Sequence, residues 1–155
     1  MQNPDENAPV KITTQKIVAL RDHINNSFNA FDAAGELDLD KCQRNVAYSI
    51  GNTYTNYNGL LLQEKIKLAE INDKLKELRA IAYDKVKRFT DYPVDASNIK
   101  TLVDGSADVR KKQLEYDKQL AYIEFIEFTL KQLGYYSNGV KTLLQAEEIR
   151  NKYGF

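Results

Sequence analysis

The chain has 155 residues, of which 43% are apolar and 28% charged, and it contains only 7 Gly and 3 Pro. This composition excludes a disordered or collagen-like chain and favours helix, and the length is that of one domain. Basic and acidic side chains number 22 each, which excludes a globally basic nucleic-acid-binding protein but leaves room for a local basic surface. No stretch approaches the ~20 apolar residues of a membrane span, and the first residues lack a basic segment followed by an apolar one, so we expect a soluble protein that is not secreted.

The chain contains one cysteine, Cys42, and one histidine, His23. A single cysteine excludes an internal disulfide and a multi-cysteine zinc site, and it fits a reducing compartment. Chemistry that relies on paired histidines or on a Cys–His pair is nearly excluded as well. Because no nucleophile–base pair or ligand cluster stands out elsewhere, we expect no enzymatic activity, no metal and no cofactor.

The first 40 residues are predicted to form an acidic N-terminal tail and a short helix, since they carry 3 basic and 7 acidic side chains. Pro4 and Pro9 indicate a loose tail over the first nine residues. Apolar residues at helical spacing between Thr14 and Phe31 predict a helix, and Gly35 follows as a stop signal.

A long helix is predicted over residues 41–89, with Asp40 and Gln43 resembling a capping box at its start. Apolar positions then follow alternating steps of four and three, which is typical of a coiled-coil seam that packs against a neighbouring helix. Gly51 and Gly59 each weaken the early part by roughly 1 kcal/mol relative to Ala, which predicts a kink or a later start there. The seam runs through Ile50, Tyr54, Tyr57, Leu61, Glu64, Leu68, Ile71, Leu75, Leu78, Ala82, Lys85 and Phe89.

The rest of the chain is predicted to form one helical domain together with this long helix, over residues 41–155. Pro93 ends the first long helix because it disfavours helical geometry at Tyr92. Ser106 caps the next long helix and Gly134 closes it. The elements predicted after the first long helix are a loop and short helix over 90–105, a second long helix over 106–133 and a C-terminal helix over 138–153. The expected fold is therefore all-α and coiled-coil-like, with two long antiparallel helices and shorter flanking helices.

Self-association is predicted from the apolar surface that two helices leave uncovered. The chain has 10 Tyr and 6 Phe, more aromatic surface than the two long helices can bury on each other, so identical chains are expected to cover the remainder as a homo-oligomer. The residues predicted to line the oligomer interface are Leu61, Leu68, Ile71, Leu75, Leu78, Leu120, Ile123 and Leu130.

Positive charge is concentrated in the first long helix. Residues 41–88 carry 10 basic and 5 acidic side chains, whereas residues 89–155 carry 9 and 10. Between Lys74 and Arg88 there are six bases against Glu77 and Asp84, and helical spacing places the bases on both sides of the seam with the acids on the opposite face.

Aromatic side chains lie among these bases, a mixture that binds single-stranded nucleic acid because bases stack on rings at ~1–3 kcal/mol each while Lys and Arg contact phosphates. We interpret Phe89 as a core residue and Tyr92 as a residue that packs within the loop. For Tyr83 both packing within the fold and stacking on a base are open. The candidate DNA-binding residues are Lys74, Lys76, Arg79, Tyr83, Lys85, Lys87 and Arg88. The alternative is a structural coiled-coil adaptor without nucleic-acid binding, in which Lys65 and Lys67 in particular pair with carboxylates of the second long helix.

The order of these features resembles the UvsY family of phage recombination mediators, over roughly residues 50–154. The residues that carry the resemblance are Arg79 and Tyr83 in LRAIAYDK, residues 99–103 and 107–109 in IKTLVDGSADV, the leucine-rich helix to Leu133, Gly139-Val140-Lys141, and Gly154.

The resemblance implies a non-enzymatic, ring-like homo-oligomer in the cytoplasm of an infected bacterial cell. It implies that the protein binds single-stranded DNA, loosens the hold of single-strand-binding protein, and helps to load a RecA-like recombinase, with no membrane partner. DNA binding by the family's basic stretch carries over onto Arg79, with Lys76 nearby.

Overall fold

The computed structural model describes residues 8–28, 32–89 and 95–154. Over these ranges the chain is all-helical, which confirms the predicted fold class. None of the described helices is long and apolar enough to cross a bilayer. The elements are α1 (Ala8–Ser27), α2 (Leu39–Arg44), a π-helical segment (Asn45–Ser49), α3 (Ile50–Phe89), α4 (Ala96–Gly105) and α5 (Ala107–Tyr153).

The helix predicted over residues 14–31 is α1, which begins earlier and ends earlier than predicted. Pro9 lies in its first turn, where the missing proline N–H has no helical acceptor to satisfy, so Pro9 begins the helix instead of preventing it. The predicted end at Phe31 falls outside the described residues. Gly35 has a φ of 81°, a left-handed conformation that suits glycine, in a turn where the Asp32 carboxylate accepts backbone N–H bonds.

The first long helix starts at Leu39 and contains a π-helical segment before α3. The cap is Asp38, not Asp40: the Asp38 backbone is extended, and its carboxylate accepts a hydrogen bond from the Lys41 backbone N–H at 2.8 Å. Asp40 already lies within the helix and so cannot cap it. The π-helical segment precedes Gly51, in the region where an irregularity was predicted.

The second long helix does not end at Gly134, so the predicted division into helices 106–133 and 138–153 is wrong: α5 is continuous. Gly134 instead serves packing, because a Cβ at this position would lie 3.0 Å from the Tyr54 hydroxyl. That hydroxyl donates a 2.6 Å hydrogen bond to the Leu130 carbonyl. At the N-terminus of α5, Ser106 caps as predicted, with its Oγ accepting from the Val109 backbone N–H at 3.4 Å.

The chain divides into two compact units. The first unit comprises residues 62–123 with the beginning of α1, and the second comprises residues 14–61 and 124–154. Both long helices therefore contribute one part to each unit.

In the first unit α3 and α5 are antiparallel, as predicted, because Glu64 pairs with Gln119 whereas Arg79, later on α3, pairs with Gln113, earlier on α5. The end of α3, α4 and the start of α5 share a small apolar core. It contains Leu75, Ala82, Val103 and Val109, with Leu78, Val86 and Ile99 packed against it.

A buried carboxylate joins the two long helices of the first unit. Glu64 is only 3% exposed, and its carboxylate accepts hydrogen bonds from Lys67 Nζ at 2.6 Å and Gln119 Nε2 at 2.7 Å. Gln119 Nε2 also donates to the Glu64 backbone carbonyl at 3.0 Å. Burial and the nearby Glu64 charge raise the pKa of the Tyr122 phenol. A buried polar pair of this kind fixes the register of two helices.

The second unit has its own antiparallel contacts, from Tyr54 to Leu130 and from Asn45 Nδ2 to the Tyr136 hydroxyl at 3.4 Å. The pKa of the Tyr136 phenol is raised, mainly because the phenol is buried. The buried residues of this unit are Leu20, Phe28, Cys42, Ile50, Tyr57, Ile126, Thr129, Leu130, Leu133 and Val140.

The predicted seam of α3 faces the interior at nearly every position that the structure describes. The exception is Lys85, which is exposed, and the half-buried Val86 takes its place against the apolar core. Three residues predicted for the oligomer interface, Leu75, Ile123 and Leu130, are 2–8% exposed within this single chain. These side chains contribute to the chain's own core, and their place in an oligomer interface stays a prediction. The other five, Leu61, Leu68, Ile71, Leu78 and Leu120, are half-buried.

Candidate nucleic-acid interface

The candidate DNA-binding residues all lie on the second half of α3, on either side of its buried face. With about 100° between successive residues, the apolar face centred near Leu75 leaves two flanks for the charged side chains. We call the side that carries Lys76, Tyr83 and Lys87 the tyrosine flank, and the side that carries Lys74, Lys85 and Arg88 the opposite flank. Every one of these six side chains is exposed.

On the tyrosine flank, the Tyr83 ring is 42% exposed and lies beside a cation. Lys87 Nζ is 5.6 Å from the centroid of the ring, within the range of a cation–π interaction. Lys76 Nζ lies 3.2 Å from the Asp73 carboxylate on the same helix, with both side chains more than 60% exposed. Such an exposed pair within one helix is weak and is screened by salt, so Lys76 can exchange this carboxylate for another anion.

On the opposite flank the cations form no ion pair with any described carboxylate. Within the part of the chain that the structure describes, no carboxylate lies within ion-pair distance of Lys74, Lys85 or Arg88. Ile81, 45% exposed, is the large apolar side chain beside them. The flank therefore offers phosphate contacts and an aliphatic surface.

Arg79, the residue to which the family resemblance gives most weight, is held within the fold. Its Nε donates to the Asp104 carboxylate at 3.1 Å and its Nη2 to the Gln113 side-chain oxygen at 3.1 Å. The Arg79 side chain thereby joins α3 to both α4 and α5, and it remains 43% exposed. Its guanidinium is already occupied by hydrogen bonds to the protein, which favours a bracing role; contact between Arg79 and DNA stays a prediction.

The acids of the second long helix do not neutralise the basic end of α3 in the way the adaptor interpretation expected. Glu115 pairs with Lys112 at 2.6 Å, and Asp117 accepts from Gln113 at 2.8 Å, both within α5. Lys67 pairs with Glu64 on its own helix at 2.6 Å. The pairing of Lys67 with a carboxylate of the second long helix is therefore not what the structure shows, since its partner lies on α3 itself.

An exposed apolar surface on α5 was missed by the sequence argument. Phe128, Tyr135 and Ile149 are each 57% exposed and are separated by seven or fourteen residues, with exposed Thr142 completing the spacing. We call these four residues the outer stripe. They lie on the side of α5 away from the buried Ile126, Leu133 and Val140. The seven-residue spacing of these side chains was the signal in the sequence that could have indicated this surface.

Two aromatic residues considered in the sequence lie outside what the structure describes: the side chain of Phe89 and the whole of Tyr92. Among the described residues no group of three or more His, Cys, Asp or Glu side chains is arranged to hold a metal ion.

The candidate site is thus the basic second half of α3, with exposed cations on both flanks and Tyr83 as the exposed aromatic ring among the described side chains. Arg79 links this part of α3 to α4 and α5. Comparisons with protein families, curated proteins and solved structures give no match to this chain.

Proposed function

We propose that the protein is a recombination mediator: a homo-oligomer that binds single-stranded DNA and helps to load a RecA-like recombinase onto strands covered by single-strand-binding protein. The observation that carries the DNA-binding part is the exposed set of cations on the two flanks of α3. The recombinase and the single-strand-binding protein are partners that only the family resemblance implies.

The charge arithmetic of α3 favours a polyanion as the partner. Of the six bases between Lys74 and Arg88, Lys76 and Arg79 have a carboxylate partner, and four do not within the described ranges. The acids of the same segment, Glu77 and Asp84, are exposed on the face opposite the core. Apart from the Lys76–Asp73 pair, the described cations of both flanks are thus available to phosphates.

The outer stripe of α5 supports self-association. Soluble proteins rarely leave aromatic and aliphatic side chains exposed in a row, and a spacing of seven residues is the repeat that packs one helix along another. In an oligomer built in this way, each subunit would contribute one modest basic site. Several such sites acting on one strand would raise the affinity by avidity.

A salt titration of a labelled oligothymidylate tests the DNA-binding part. We expect the logarithm of the association constant to fall linearly with the logarithm of salt concentration, by about 0.7 per phosphate contacted. The triple variant K74A/K85A/R88A should reduce that slope by about 2. The matched control K131A/K141A/K152A removes the same charge from α5 and should leave the slope within about 0.5 of the wild-type value.

The mediator part is tested by adding the protein to single-stranded DNA coated with single-strand-binding protein and following the ATPase rate of a RecA-like recombinase. We expect the wild-type protein to stimulate the ATPase rate and the K74A/K85A/R88A variant to lose this stimulation. An unaltered ATPase rate alongside intact DNA binding would restrict the function to DNA binding alone.

The structural adaptor remains the second candidate, and the pairs Lys67–Glu64, Lys76–Asp73 and Arg79–Asp104 favour it. An adaptor would use its bases to stabilise itself and would form the same oligomer. It predicts no oligonucleotide binding at low salt, a result that would decide against the mediator.

A further inference from the structure

Among the side chains that the structure describes, an aromatic ring is found on one flank of α3 and not on the other. Both offer exposed cations, but the exposed uncharged side chain of the tyrosine flank is Tyr83, whereas that of the opposite flank is Ile81. Phosphates interact with either flank, since they need only positive charge. A base gains from stacking only where an aromatic face is present.

Three lysine–tyrosine pairs of the same geometry are described in this chain, and only one lies in a basic cluster. Lys131 and Lys152 lie over the rings of Tyr135 and Tyr153 at 5.8 and 5.6 Å, on α5. Around Tyr153 the neighbouring Arg150 is paired with the Glu147 carboxylate at 3.5 Å.

The pair on α3 differs because Tyr83 has cations before and after it on the same side of the helix. Lys76 lies two turns before it, about 10 Å along the axis, and Lys87 one turn after it, about 6 Å along the axis.

We propose that Tyr83 is the base-stacking platform of the DNA site, and that Lys87 leaves the ring for a phosphate when the strand binds. This inference rests on the proposed function. In the free protein the Lys87 ammonium covers the exposed ring. A stacked base is a stronger partner for the ring than a cation in water, and a phosphate is a stronger partner for the ammonium than the ring. Both exchanges favour the bound strand.

The arrangement also assigns the type of strand. Duplex DNA keeps its bases stacked on one another, so Tyr83 gains nothing from it, whereas a single strand presents a free base face to the ring. The opposite flank and Lys76 contact phosphates without regard to the bases. The tyrosine flank is therefore the part of the site that distinguishes single strands from duplex.

The experiment uses the absence of tryptophan from the chain, which gives a Tyr83→Trp variant a single indole that can be excited selectively over the tyrosines. Titration with oligothymidylate should quench the indole along the same curve as the binding measured by anisotropy, because a stacked base quenches it. An abasic sugar–phosphate chain of the same length should bind without quenching. Tyr153→Trp is the matched control, since its ring also has a lysine over it at 5.6 Å, and its fluorescence should not change.

Affinity measurements on three further variants sharpen the test. Tyr83→Phe should bind oligothymidylate within about 3-fold of wild type, whereas Tyr83→Leu should bind about 5- to 150-fold more weakly, the range that one stacked base gives. Tyr83→Leu should bind the abasic chain as wild type does. Lys87→Gln should lower the salt slope by about 0.7 while the Tyr83→Trp quench persists in the combined variant.

The outcomes separate the two proposals. Oligothymidylate binding without quenching at position 83, or with Tyr83→Leu equal to wild type, overturns the stacking platform and leaves DNA binding intact. No binding of oligothymidylate by the wild-type chain at low salt overturns both.

Discussion

The second half of α3 and the second half of α5 bury one face in a similar way and differ on the side that faces water. In α3 the face that contains the buried Leu75 and Ala82 is bordered by two flanks of exposed cations, and the exposed aromatic ring described there is Tyr83. In α5 the buried Leu133 and Val140 leave an outer stripe of large apolar side chains. A buried face is common to both helices, so it says little about function. The solvent-facing side indicates the partner, a polyanion for α3 and another apolar surface for α5.

The physical reason for the difference lies in what water does to each surface. Lysines and arginines keep their charge hydrated and gain from a polyanion chiefly through the release of counterions. Large apolar side chains gain about 25 cal/mol for each Å² removed from water, whatever covers them, provided that the shapes match. The two helices should therefore respond to different changes, and variants can separate assembly from DNA binding.

The largest effect is expected from placing charge on the outer stripe. The variant F128E/I149E should convert the oligomer to a single chain, because assembly would bury carboxylates without partners. Light scattering should show the mass of one 17.8 kDa chain. DNA affinity should fall about 10²- to 10⁴-fold as avidity is lost, whereas the residual affinity of the single site should remain.

The control N138D/Q145E adds the same charge at exposed positions beside the outer stripe and should keep the oligomeric mass. Circular dichroism should show the same helical content for both variants. If F128E/I149E retains the mass of the oligomer, the assembly uses another surface. The outer stripe of α5 would then not be the surface that packs against a second subunit.

The sequence was sufficient to predict the buried side of α3, but not that α5 also exposes a second row of large apolar side chains. In α3 the apolar positions form a single seam, so one assignment of the face was available. In α5 two apolar sets share the helix, one containing Ile126, Leu133 and Val140 and the other forming the outer stripe. Periodicity identifies both sets but does not say which one packs against the chain itself, because that depends on what α3 and α1 present.

The same limit explains the error at Gly134 and the brace at Arg79 that the sequence did not indicate. Glycine ends a helix or allows a close approach, and only the position of Tyr54, 80 residues away in sequence, decides between them. A count of charges locates a basic segment but does not reveal that Arg79 reaches Asp104 on another helix. Contacts between residues far apart in the chain are what a single sequence leaves open.

A smaller effect is expected from the brace behind the DNA site. Arg79→Ala should lower the free energy of unfolding by about 1 kcal/mol, since a half-exposed ion pair contributes at most about that much and the hydrogen bond to Gln113 is also lost. If the Arg79 guanidinium keeps its hydrogen bonds to Asp104 and Gln113 when DNA binds, the salt slope of DNA binding should stay within about 0.3 of wild type.

A double-mutant cycle with Asp104→Asn, followed by urea denaturation, should give a coupling energy of about 0.5 kcal/mol between the two side chains. Arg79→Ala and Asp104→Asn are expected to lose similar amounts of unfolding free energy. A slope reduced by about 0.7 in Arg79→Ala would instead make Arg79 a phosphate contact, as the family resemblance implies, and would extend the DNA site across the core-facing edge of α3.

The smallest effect concerns the buried phenols, which mark the side of α5 that faces the interior. Burial, together with the Glu64 charge, raises the pKa of Tyr122 above its ordinary value of about 10, and burial likewise raises the pKa of Tyr136. Between the unfolded and the raised folded pKa, the folded chain holds more protons than the unfolded chain, so stability falls as the pH rises. The contribution is complete below about pH 10 and is lost above it. Urea midpoints measured between pH 9 and 11.5 should therefore fall less steeply with pH for Tyr122→Phe than for wild type. In a titration followed by the absorbance of ionised tyrosine at 295 nm, the variant should lack the rise that wild type shows at the highest pH. Equal slopes in the two proteins would mean that the phenol is exposed to water, and that the side of α5 assigned here to the core lies elsewhere.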